Sequence, residues 1–185
     1  STRVRSSAAS DVYKRQILGC AQPKFLYGIN NVFSYKNFDL SFFFQGSYGN
    51  DIYNATRMFT EGMFDSRNQS DRVLMRWRNP GDYTTVPRAE KDKYPAISSR
   101  FVEDGSYFKL KNVKLSYTLP RPLTRKALMD RVTVYISGDN LVTFTNYRGY
   151  DPEVNIGGGS SSAMGIDQGV FPHARTYILG ATIVF

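Results

Sequence analysis

The chain of 185 residues has one cysteine, one histidine and one tryptophan. A single thiol, Cys20, excludes a disulfide framework within the chain and any multi-cysteine metal centre. A single imidazole, His173, leaves little material for a histidine-built metal site or a catalytic triad. Long apolar runs are missing as well. The longest uncharged stretch, Val154 to Ile166, is thirteen residues and rich in Gly and Ser, whereas a spanning helix needs about 20 mostly apolar residues. That leaves open β-barrels, which cross a membrane on short alternating strands. Ser1 to Gln16 contains no apolar run of the kind that opens a secretory leader. If the mature protein is exported, the sequence is expected to be a piece whose N-terminus lies elsewhere.

Clustered positive charge is also missing, although the net charge is +8. Residues 1–16 carry +3 of this, which leaves +5 over the remainder. Tyr48 to Asp104 is neutral, with nine acids against nine bases. No run of five like charges and no basic helical stripe occurs, so no nucleic-acid partner is expected. Residues 1–21 read as a doubtful or disordered leader, set apart from 22–185 by their lack of periodicity.

What the sequence does have is aromatic residues, 15% of the chain, with 13 Tyr and 13 Phe. They fall on period-two patterns, the signature of half-buried strands. Phe25 to Tyr35 is the first such run. Phe38 to Tyr48 is the second, with Phe38, Leu40, Phe42 and Phe44 opposite Asp39, Ser41, Gln45 and Ser47. Only Lys36 and Asn37 separate them, which predicts a tight hairpin. Ser106 to Leu119 is the third, although Lys109 and Lys111 fall on its apolar Val113 face. Arg131 to Phe144 is the fourth and Arg175 to Phe185 the fifth.

The connections between these runs alternate between short and long. They are about 2, 57, 11 and 30 residues. In an antiparallel meander this puts every long connection at one end of the sheet. Outer-membrane barrels share that asymmetry, and the strand lengths suit tilted spanning strands. The expected fold class is therefore all-β, with antiparallel strands forming the C-terminal part of a transmembrane β-barrel and long extracellular loops containing short helices. One helix is expected within Asn50 to Phe64 and another turn or two within Asn68 to Trp77. Two rivals are a soluble carbohydrate-binding β-sandwich and a small outer-membrane barrel enzyme. The long second connection argues against the first, and the single histidine against the second.

Several tracts resemble a family. PKFLYGINNVFSYKNFDLSFFFQGSYGNDIYNATR, FKLKNVKLSYTLP and ISGDNLVTFTNYRGYDPEV are similar to the C-terminal part of SusC/RagA-type TonB-linked outer-membrane transporters. The Asn79–Asp82 turn NPGD, Val86-Pro87-Arg88 and the closing GATIVF fit the same order. The resemblance implies a barrel of about 22 strands with an N-terminal plug, located in the bacterial outer membrane and importing glycans or peptides. It implies a SusD-like surface lipoprotein, the TonB complex acting through a plug absent from this sequence, outer-membrane lipid and the barrel-assembly machinery as partners. Phe185, a terminal aromatic on an alternating strand, resembles the signal that this machinery reads.

No catalytic residue, cofactor or metal is expected, and the chain is not read as an enzyme. Arg76, Trp77, Arg78, Tyr147 and Tyr150 are candidate contacts for ligand or lid, because Arg and aromatics are enriched at binding hot spots. The competing reading is that they pack the loops onto their neighbours. Asp151 and Glu153 form a weak acid pair, since nothing in the sequence fixes their separation. Asp139 with these two lacks the spacing of a calcium loop. Gly157-Gly158-Gly159 reads as a loop tip, and His173 as an ordinary loop residue.

Overall fold

A computed structural model of the chain describes residues 17–126, 128–153, 156 and 163–185. Residues 1–16 and the Gly157–Gly159 tip lie outside the described residues. At the other end of the expected leader, Cys20 exchanges two hydrogen bonds with Asp51: the Cys20 amide donates to the Asp51 carboxylate at 2.9 Å, and the Asp51 amide to the Cys20 carbonyl at 2.8 Å.

Five long strands form one antiparallel sheet. They are β1 (Phe25–Tyr35), β2 (Phe38–Tyr48), β5 (Tyr107–Thr118), β6 (Arg131–Thr145) and β8 (Thr176–Val184), hydrogen-bonded in the order β1-β2-β5-β6-β8. This is a meander, and its ladders place partner residues on one face. Phe33, Leu40, Leu115, Ile136 and Leu179 lie in one row across the sheet, and Tyr35, Phe38, Tyr117, Val134 and Ala181 in the next. The opposite face carries rows such as Ser34, Asp39, Ser116 and Tyr135, or Asn30, Phe43, Asn112, Asp139 and Thr176. The apolar face is open: Phe33 is 57% exposed and Leu179 82%. A sandwich would have covered it with a second sheet.

Aromatics concentrate at the two ends of this apolar face. Phe25, Tyr27, Tyr48, Phe108 and Phe144 sit at one end, with the Phe25 and Tyr48 rings 5.2 Å apart and the Tyr27 and Phe108 rings 6.0 Å apart. Tyr35, Phe38 and Tyr117 sit at the other, with Phe38 and Tyr117 at 4.6 Å. Such paired girdles are where aromatic rings meet the two membrane interfaces.

The turn at Lys36 and Asn37 is tight, with Lys36 in the left-handed region (φ 53°). Asn37 ties it to the neighbouring strand by donating its side-chain amide to the Thr118 carbonyl at 2.6 Å. The connection after β5 stays at this same end. Pro120 closes the strand, and Arg121–Lys126 forms a short helix, α2, that the sequence reading leaves out. Proline suits a helix's first turn, where its missing N–H has no intrahelical partner to lose.

Both long connections leave from the other end and fold together. β3 (Asp51–Asn54) pairs with β4 (Val102–Asp104) and with β7 (Ile166–Asp167), a three-stranded sheet in the order β4-β3-β7. Thus strand β7 from the second long connection completes a sheet begun by the first. The helix expected within Asn50 to Phe64 is confined to α1 (Ala55–Thr60), because Asp51–Asn54 is taken by the sheet. Asn54 then caps α1, its side chain accepting from the Arg57 amide at 3.1 Å. A 3-10 turn covers Asp71–Met75, inside the second expected helical stretch. A second small core holds this loop module together: Ile52, Phe64, Val86, Phe101 and Tyr147 are all buried.

Candidate functional site in the outer loops

The chemistry-bearing side chains gather where the loop module meets the strand ends. Strand β5 explains why. Lysines on its apolar face would be costly, and the ladder avoids this with a β-bulge. The register with both neighbours slips between Leu110 and Asn112, leaving Lys111 as the extra residue. The slip keeps Phe108 and Leu110 beside Val113 on the apolar face and turns Lys109 to the opposite side.

There Lys109 is almost fully buried, 1% exposed, and its ammonium is 3.0 Å from Asp151 Oδ1 and hydrogen-bonded to Glu153. Lys111 donates to the same Glu153 carboxylate at 3.0 Å, and His173 Nδ1 lies 3.2 Å from Asp151 Oδ2. Buried charges persist only when paired, and this group is paired throughout. Burial works to raise the Asp151 carboxyl pKa, but the Glu153 amide and Lys109 outweigh it and hold the group below the usual range. Glu153 behaves alike: burial opposes, and Lys109 with Lys111 outweighs it. Asp151, Glu153 and His173 present oxygen and nitrogen atoms within 4.8 Å of one another. The Lys109 ammonium already sits between the two carboxylates, so these residues form an ionic anchor. The weak acid pair of the sequence is thus half of a latch that fastens the second long connection to β5.

A second network binds α1 to its surroundings. Arg57 forms an ion pair with Glu61 at 2.8 Å and another with Glu103. Arg100 reaches Glu61 at 3.1 Å, and Arg72 stands 3.6 Å from it. Burial opposes ionisation of Glu61, but the guanidiniums around it win and lower its pKa. The Arg148 amide donates to Glu103 at 2.9 Å, which bridges the two long connections.

The six residues singled out from sequence are spread widely. Tyr147 is buried, and its hydroxyl donates to Asp167 at 2.6 Å. Burial, with Asp167 alongside, pushes the phenol pKa well up. Asp167 also accepts from the Gly169 and Val170 amides. Tyr150, three residues on, is 72% exposed. Arg76, Trp77 and Arg78 lie together beyond the 3-10 turn. The Trp77 amide donates to the Val86 carbonyl at 3.0 Å, and the Arg76 and Arg78 guanidiniums cap the carbonyls of Val73 and Leu74. Asp82 accepts from the Arg78 and Asn79 amides, closing the NPGD turn around Gly81 at φ 102°. Phe185 stands just past β8, in the phase of its apolar face and 84% exposed. Lys109, Arg57, Glu61, Arg148 and Asp167 were not among the residues chosen from sequence. The only signal for them was Lys109 on a face that should have been apolar.

No family model matches the chain. TonB-dependent receptor P3 of Formosa agariphila is 39% identical over 176 residues, covering 92% of the chain. TonB-dependent receptor SusC of Bacteroides thetaiotaomicron is 28% identical over 172 residues, 86% of the chain. The chain is homologous to the SusC-type TonB-dependent receptors. It spans 17% of the length of the first relative and 15% of SusC. The RagAB peptide importer in its closed-closed state superposes with a TM-score of 0.77 at 26% identity, covering 91% of this chain and 18% of that one. In the open-open state the score is 0.74 at 27% identity. The five-stranded sheet is therefore a stretch of outer-membrane β-barrel wall, lipid on its apolar side and lumen on the other. The two long connections are its extracellular loops.

Proposed function

We propose that the chain is the C-terminal part of a TonB-dependent nutrient importer, one that takes up glycans or peptides across the outer membrane. It supplies barrel wall and an outer loop module and carries out no chemistry of its own. The observation that supports this best is the shared end from which both long connections leave, above a sheet with one lipid-compatible face. In this reading a SusD-like surface lipoprotein docks on the loop module, and TonB acts through a plug encoded outside these residues. In the same reading Arg76, Trp77 and Arg78 in the first long loop and Tyr150 in the second are contacts for ligand or lid, Tyr147 supports the second loop from beneath, and Phe185 is the residue that the assembly machinery reads.

Proteinase shaving of intact cells expressing the full-length receptor tests the orientation. Cleavage is expected within 49–106 or 146–175. Protection there, with cleavage within 119–130, would reverse it. Loss of ligand uptake on removing TonB is the matching test of import.

A further inference from the structure

A cleft of about 440 Å³ opens between α1 and the segment Arg148–Tyr150. Its shape follows from the residues beneath it. Tyr147 turns inward under Gly149, where a side chain's Cβ would stand 2.3 Å from the Tyr147 ring. That leaves Arg148 and Tyr150 facing the opening.

The polar groups lining the cleft divide into two sets. The carboxylates are engaged: Glu61 with three arginines, Asp167 with the Tyr147 hydroxyl and two amides. Other groups are less fully engaged among the described residues. The Arg148 guanidinium makes no ion pair among the described residues, and Arg72 reaches Glu61 only at 3.6 Å. Thr56 Oγ1, also in the lining, is buried and has no hydrogen-bond partner among the described residues. A buried hydroxyl without a partner calls for an explanation, because such groups are normally satisfied. Around the same opening stand the Asn68 amide and the exposed Tyr150 ring.

We infer that this cleft is a subsite for an anionic saccharide. The inference rests on the import reading above and names the substrate class. Surplus guanidinium charge recognises a sulfate or carboxylate by paired N–H donors. An amide and a hydroxyl suit sugar hydroxyls, and an exposed tyrosine offers both a ring face and a polar tip. A peptide held by strand addition would call for an open strand ladder to pair with. The cleft is walled mainly by a helix and turns, and β7, the strand that reaches it, already accepts the Ile156 amide on Ile166.

The test uses the full-length receptor in detergent and calorimetry with three probes: a heparin hexasaccharide, its fully desulfated form, and neutral maltohexaose. At least one charged probe is expected to bind about ten-fold more tightly than the neutral one. The stronger of the two identifies sulfate or carboxylate. Arg148→Gln is expected to remove that advantage, and Tyr150→Ala to weaken binding of the charged probes. Both side chains are exposed, and an unchanged heat-modifiable gel shift confirms that the variants fold. Equal binding of the neutral probe, no binding of either charged probe tighter than about 1 mM, an unaffected Arg148→Gln receptor, or displacement by a tetraglutamate peptide would each overturn the inference. Cell-surface loops and TonB-dependent uptake would be untouched by such a failure, which separates it from failure of the import reading.

Discussion

The ammonium of Lys109, at the lumenal side of strand β5, lies 3.0 Å from the carboxylate of Asp151, 42 residues later in the chain. This contact fastens an outer loop to the barrel wall. Lys109→Met keeps the length of the side chain and removes its charge. Asp151 would then be left buried beside His173 without its ammonium partner. Breaking a buried pair costs about 3–5 kcal/mol. The expected result in the full-length receptor is new proteinase cleavage within 146–175 with the barrel still folded. Adding Asp151→Asn should restore part of the protection, since it removes the orphaned charge.

The same anchor should respond to acid. Asp151 and Glu153 both have lowered pKa values in the folded protein. Their contribution is therefore present above the ordinary carboxylate range, about 4, and is lost as pH falls through the lower folded values. Proteinase susceptibility of 146–175, followed with an acid-active proteinase, should rise below about pH 4. Lys109→Met should abolish the transition.

Gly46 has a different constraint. A Cβ there would stand 2.2 Å from the Tyr27 ring, whose hydroxyl reaches across to the Tyr107 carbonyl at 3.3 Å. Gly46→Val should cost about 1–3 kcal/mol through overpacking, seen as a lower midpoint in urea unfolding from vesicles. Tyr27→Ala should recover most of the loss when combined with it, because it empties the contested space.

The two faces of the sheet predict opposite tolerance to charge. Leu115 lies mid-row on the apolar face, and Ser116 beside it faces the lumen. Leu115→Arg should destabilise the barrel by about 2–4 kcal/mol if it meets the bilayer midplane, and Ser116→Arg by much less. Equal effects at the two positions would contradict the assignment of faces.

Much of this architecture is determined by the sequence alone. Alternation in Phe38–Tyr48 and Arg175–Phe185 defines strands because side chains of a strand point alternately to opposite faces. The spacing of the five runs defines a meander whose long connections share one end, since each antiparallel strand reverses direction. Both the strands and that asymmetry are present in the structure. The tertiary structure decided what local pattern does not encode. Asp51–Asn54 reads as the start of a helix until strands from two distant segments pair with it. Lys109 reads as an error of phase until the bulge at Lys111 turns it toward Asp151. Tyr147 and Tyr150 look equivalent in sequence, yet one is buried on Asp167 and the other stands exposed. In each case the deciding partner lies 12 or more residues away, so its energy enters only when the chain has closed the intervening loop.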